Sequence, residues 1–220
     1  MGTWASTGRE TARTPQAPVV FVVDDDVSVR QSLELLISSM GLVPECSATA
    51  HDFLARPRPT GPSCVLLDVN LPDLNGLDVQ KRVAADRADT SIIFITGCGD
   101  IPMSVRAIKA GAVEFLTKPL DDDALLCAIQ QALDRSRAAR DEEDLMCSLR
   151  GRYAALSPRE REVMALVVAG LLNKQVGGEL GISEITVKAH RGSVMRKMQA
   201  GSLPKLVSMA AKLGLPAPRR

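Results

Sequence analysis

Asp68 closes the apolar run of Val65–Gly76, VLLDVNLPDLNG, and Pro72, Asn75 and Gly76 break the chain just beyond it. An apolar run that ends on an aspartate before a loop reads as a buried parallel strand presenting a carboxylate at its carboxyl end. That is the end at which open α/β sheets place their chemistry. Asp24 and Asp25 hold the same position after VVFVV (Val19–Val23), with Asp26 next in line. Asp26 is accounted for as an N-cap in the field of the following helix dipole, and a first-turn role is one reading of the whole trio. The other gives Asp24 and Asp25 to a hard cation such as Mg²⁺, which takes oxygen ligands, provided that Asp68 lies close by.

The elements that would position these groups alternate. Val27–Met40 is amphipathic, Val43–Ser47 a weak strand, Thr49–Ala55 a short helix, and 57–62 a Pro/Gly loop; Leu77–Arg87 is again helical. Ile92–Ile95 is a buried strand that runs into Thr96, a helix covers about Pro102–Ala110, and Val113–Leu116 runs into Thr117, Lys118 and Pro119. Five strands alternating with helices predict a doubly wound α/β parallel sheet. Its strand ends collect Asp24, Asp25, Asp68, Thr96 and Lys118. Taken singly, Lys118 reads as a solvated lysine and Thr96 as a strand-end cap.

The 220 residues are 45% hydrophobic and 24% charged, which suits one or two ordinary domains with ample core. No apolar run approaches the roughly 18 residues of a membrane span, and no secretory signal opens the chain. Five widely spaced cysteines suggest reduced thiols and a cytoplasmic protein, and two histidines make a histidine-based metal cluster a poor fit. Charge is divided unevenly. Residues 1–136 carry 12 Lys and Arg against 18 Asp and Glu, a net of −6, whereas 137–220 carry 15 against 8, a net of +7. A basic second half points to nucleic acid. Residues 1–18 are Thr, Ala, Gly, Arg and Pro without periodicity and read as a disordered leader.

Asp24, Asp25, Asp68, Thr96 and Lys118, in this order and spacing, resemble the receiver domain of two-component response regulators over 19–136, a flavodoxin-like fold. The resemblance implies that Asp68 accepts a phosphoryl group from a sensor histidine kinase. Mg²⁺ would be held by Asp25, Asp68 and the backbone carbonyl of Asn70, with Asp24 acting through water. Lys118 would add a fixed cation and Thr96 a hydrogen bond to the phosphoryl group. It further implies a switch in which Thr96 moves and Phe115 rotates inward, a dimer surface over about 103–118, and a cis bond before Pro119. Phe115 also reads simply as a core aromatic. An aspartyl-phosphate phosphatase is the enzymatic alternative, but such hydrolases commonly place a second acid where this chain has Asn70, so the expectation is a phosphoacceptor with at most slow self-dephosphorylation, not an enzyme.

The run RSRAARDEED over 135–144 is highly charged and reads as a solvated face, and 137–152 reads as a helical linker. From 153 to 220 the pattern is all helical. Ser157, Pro158 and Glu160 open one helix, Asn173 caps a second that stops at Gly181, Ser183 caps a third, and Ser202 begins a fourth. Two helices joined through Gly181, Ile182 and Ser183 fit a helix-turn-helix. LSPRERE, GLLNKQVGGELGIS and TVKAHRGSVMRKM resemble the LuxR-type DNA-binding domain. Receiver and LuxR-type domain together place the chain by resemblance in the NarL/FixJ family, on its FixJ-like branch. The resemblance puts Lys188, Ala189 and Gly192 in the major groove, with Lys188 at base edges, and makes Asn173, Lys174, Thr186, Arg191 and Lys197 phosphate contacts. The function implied is a phosphorylation-controlled transcription regulator that dimerises and binds double-stranded DNA, with RNA polymerase as a further partner. A DNA-binding regulator that ignores phosphorylation is the alternative.

Overall fold

The computed structural model describes residues 17–97 and 101–215; the leader expected over 1–18 falls almost wholly outside them. The chain divides into two compact units between Arg140 and Asp141.

The first unit is a parallel sheet in the order β2-β1-β3-β4-β5, formed by β1 (Val19–Val23), β2 (Val43–Ser47), β3 (Ser63–Asp68), β4 (Ser91–Thr96) and β5 (Glu114–Thr117). Helices α1 (Val27–Ser39), α2 (Ala50–Ala55), α3 (Gly76–Asp86), α4 (Ile101–Lys109) and α5 (Asp122–Ala154) follow the strands in turn. Alternate residues feed two cores. Phe21, Val65, Leu67 and Phe94 pack with Phe53, Val79 and Val83; Val22, Leu66, Ile93 and Ile95 pack with Leu33, Ile37, Leu125 and Ile129. A sheet covered on both faces has no polar side, which is why its strands read as unbroken apolar runs.

Register levels the working ends. Val23 pairs with Leu67, Asp68 with Ile95, and Thr96 with Thr117. Asp24, Asp68, Thr96 and Lys118 therefore come to one rim of the sheet. The Lys118–Pro119 bond is cis. Element bounds shift by a residue or two from the sequence pattern: β5 begins at Glu114 and takes in Thr117, and α3 begins at Gly76, with the Asn75 side chain accepting from the Leu77 amide.

The opposite, amino-terminal edge is closed by polar groups that the sequence reading assigned to a solvated face. The Ser136 hydroxyl, fully buried, accepts from the Ser63 amide at 2.9 Å. Arg140 pairs with the buried Asp89 and donates to the Pro59 and Thr60 carbonyls. The charged stretch after 135 thus has an inward side. It was hidden because that side is polar and satisfied by hydrogen bonds, whereas hydropathy registers only apolar faces.

The second unit contains α6 (Pro158–Val168), α7 (Asn173–Leu180), α8 (Glu184–Lys197) and α9 (Leu203–Lys212). Its core joins Val163, Val167, Val176, Val187, Val194 and Leu206 to Leu149 of α5. Ser157 and Glu160 form the expected capping box on α6, and Ser183 and Ser202 cap α8 and α9. Asn173 does not cap α7. It is the first helical residue, Leu172 holds the cap position, and the Leu172 amide is satisfied by Gln175 Oε1 at 2.8 Å. The Asn173 side chain instead accepts from Arg191 at 3.0 Å. Gly181 takes φ +65°, the left-handed conformation that ends α7 and starts the turn to α8.

Candidate functional site

The first unit's site is built on two adjacent central strands. Asp24 follows β1 and Asp68 ends β3, and both side chains are buried. Between them stands Lys118, whose Nζ donates to Asp24 Oδ2 and to Asp68 Oδ2, each at 2.7 Å. Asp24 Oδ1 accepts from the Asp26 amide, and Asp68 Oδ1 from the Asn70 amide, both at 2.9 Å. The Asp24 and Asp68 carboxylates are therefore each held through both oxygens.

Burial drives the Asp24 carboxyl above its ordinary value, against the lowering effect of its bonds to Lys118 and the Asp26 amide. For Lys118, burial pulls the ammonium down, but the hydrogen bonds to Asp24 and Asp68 outweigh it and the net shift is upward. The lysine is held charged.

Asp25 is exposed, yet its carboxylate joins those of Asp24 and Asp68 in a group whose ligand oxygens lie within 4.8 Å of one another. Three carboxylates at that spacing suit a hard divalent cation. Asn70 sits in a loop tied down on several sides. It forms a bridge to Asn75, and the Gly76 amide donates to the Val69 carbonyl at 3.0 Å. Asp73, which sequence reasoning did not single out, accepts from the Ala50 and His51 amides at 3.1 and 2.8 Å and so anchors this loop to the start of α2. Only the distance of 23 and 22 residues concealed it.

Thr96 is fully buried, and its carbonyl accepts from the Lys118 amide at 2.8 Å, so β4 positions the backbone of Lys118 directly. Phe115 is half-buried, its ring 6.2 Å from Phe94 and tilted at 44°. The exposed apolar residues Ile101, Val105 and Ile108 lie on neighbouring α4.

In the second unit α7, the turn and α8 form the helix-turn-helix. Gly177 is essential to that approach: a Cβ there would fall 2.8 Å from the Ile182 carbonyl oxygen. Lys188, Ala189, Gly192 and Thr186 are exposed on α8, and Lys174 is exposed on α7. Arg191 and Asn173 are bonded to one another. Lys197 stands apart from the rest. Its Nζ lies 2.7 Å from the buried Glu160 carboxylate and donates to the Ala155 carbonyl at 3.3 Å, so it has a structural partner that ties α8 to α6. Ile185, 83% exposed in the first turn of α8, is a surface residue that sequence reasoning missed.

Two family models match the chain: the response regulator receiver domain over residues 20–130 and the luxR family of bacterial regulatory proteins over 154–210. Nodulation protein W of Bradyrhizobium diazoefficiens is 48% identical over 97% of this chain and 94% of its own. Transcriptional regulatory protein FixJ of Azorhizobium caulinodans is 42% identical over 91% and 95%. This chain belongs to the NarL/FixJ family of response regulators. Among solved structures, response regulator StyR superposes with a TM-score of 0.80 at 44% identity, covering 90% of this chain and all of that one. The response regulator thus carries the receiver fold and a LuxR-type DNA-binding domain, and its relatives are transcriptional regulators. Among the described residues no helix is long and apolar enough to cross a membrane.

Proposed function

We propose that this response regulator takes a phosphoryl group on Asp68 from a sensor histidine kinase in the cytoplasm, and that the modified receiver pairs with a second copy so that two LuxR-type domains bind DNA together. The observation that carries the reading is the Lys118 ammonium held at 2.7 Å from both Asp24 and Asp68 at the rim of the sheet.

Asp24, Asp25, Asp68 and the Asn70 carbonyl would hold Mg²⁺, with Asp24 acting through water. Bound there, the cation supplies neutralising charge to the transferring phosphoryl oxygens. Asp68 is the nucleophile. Its carboxylate oxygen forms the P–O bond as the P–N bond of the donor phosphohistidine breaks, and the imidazole leaves with the electron pair. Lys118 contributes a cation already in place and needing no reorganisation, and Thr96 supplies a hydroxyl donor. Movement of Thr96, followed by Phe115, would carry the change to β5 and α4, and the exposed apolar residues of α4 are the surface offered to the second copy.

Intact mass after incubation with a small phosphoramidate tests the first step. A single Mg²⁺-dependent phosphoryl gain, lost in Asp68→Asn, is expected. No gain where a control receiver is labelled would move the reading to a regulator that binds DNA without phosphorylation.

A further inference from the structure

On α8 the base-facing candidates Lys188, Ala189 and Gly192 share a face, and the helical period extends that face back to Ile185 at i, i+3, i+4 and i+7. Ile185 is 83% exposed, a large β-branched side chain left in water in the first turn of the helix that follows the turn. Among the described residues it has no place in the core: the α8 residues buried there are Val187 and Val194, on the opposite side. The rest of the stripe has little to offer a base by hydrogen bonding. Gly192 has no side chain and open space around it, Ala189 has a methyl group, and Lys188 alone carries a donor.

In a helix-turn-helix, the amino-terminal residues of the second helix contact base edges in the major groove. There the thymine C5-methyl is the apolar feature that distinguishes a base pair, and it is read by apolar side chains. We infer that Ile185, with Ala189 beside it, is a specificity-determining residue that reads a thymine methyl group, so that this regulator selects its sites by apolar contact on one side of Lys188. The inference rests on the reading of α8 as the helix that enters the groove. Exposed isoleucine is not remarkable by itself. Its place on the same stripe as Lys188 is what assigns it an occupant.

The test begins with site selection from a random duplex pool by the full chain, phosphorylated through its small-molecule donor. Each thymine of the selected site is then replaced by deoxyuridine, which removes only the methyl group, and binding is compared for the unsubstituted protein, Ile185→Ala and Lys188→Ala. Ile185 is so exposed that its truncation opens no cavity. One thymine per half-site is expected to lose about four-fold in affinity on replacement, the worth of one buried methyl at ~0.8 kcal/mol, and Ile185→Ala is expected to lose that sensitivity at that position alone. Two results overturn the inference. If Lys188→Ala relaxes specificity while the deoxyuridine penalty is the same in Ile185→Ala, α8 is the reader and Ile185 is not part of the reading. If Lys188→Ala leaves specificity unchanged, α8 is not the reader and both statements fall together.

Discussion

The Lys118 ammonium donates to the Asp68 carboxylate at 2.7 Å, across 50 residues of chain, and this bond holds a cation against the acceptor oxygen. A divalent cation seeking the same oxygens must share them with a lysine.

Lys118→Met should therefore bind Mg²⁺ more tightly, by about tenfold or more, since the lost ammonium occupied the same carboxylate oxygens and repelled the incoming cation at close range in a partly buried site. Labelling of Asp68 by a phosphoramidate should slow at least about tenfold in the same variant, because a fixed transition-state cation is gone. Calorimetric titration and a labelling time course measure the two. Unchanged Mg²⁺ affinity would place the cation away from Asp24 and Asp68.

The receiver's rim was legible because each of its residues follows a short apolar run, and parallel strands buried on two faces leave such runs unbroken. Asp24, Asp68, Thr96 and Lys118 could be set at strand ends from those runs alone. Asp73, Ser136 and Arg140 could not: each satisfies backbone or charge far away in sequence, and no local period records a polar contact of that kind. The second partner of Lys197 was hidden for a related reason. A lysine on a basic helix looks like a phosphate contact alone until its partner, 37 residues earlier, is seen.

The adjacent glycines of α7 should respond in opposite directions to alanine. Gly178 has open space where a Cβ would go, so Gly178→Ala should stabilise the LuxR-type domain by up to about 1 kcal/mol through helix propensity. At Gly177 the new Cβ meets the Ile182 carbonyl at 2.8 Å, a backbone atom that cannot step aside without moving the turn. Gly177→Ala should cost about 1–3 kcal/mol despite the same propensity gain. Urea unfolding of both variants reads the difference; two stabilised proteins would show that the turn yields readily.

Asp89 at the amino-terminal edge is shared by Arg140 and by Arg58, whose side chain is 40% exposed. Arg140→Met should destabilise the receiver by about 2–4 kcal/mol, since it strips a buried carboxylate of its inner partner and frees two carbonyls. Arg58→Met, at the solvent side, should cost no more than about 1 kcal/mol. Hydrogen exchange of the β3 and β4 amides follows the receiver specifically, and equal losses for the two variants would mean that Arg58 is the principal partner.

Glu160 provides a pH test of the contact that fixes α8. The Lys197 ammonium, followed by the Ser157 amide, holds its carboxyl below the ordinary value of 4.5. A carboxyl lowered in the folded state contributes its stability in full above 4.5 and loses it as pH falls from there through the folded value, because the unfolded chain binds the proton first. Glu160→Gln retains an acceptor for the Ser157 amide but has no charge for Lys197. It should therefore be less stable than the parent at pH 7, with the gap between their urea midpoints narrowing at an acid pH below 4.5. Hydrogen exchange of α6 and α8 amides at the two pH values confines the measurement to this domain. A gap that persists unchanged into acid would put the contribution of Glu160 in its cap bond to Ser157 and leave Lys197 available to DNA phosphate.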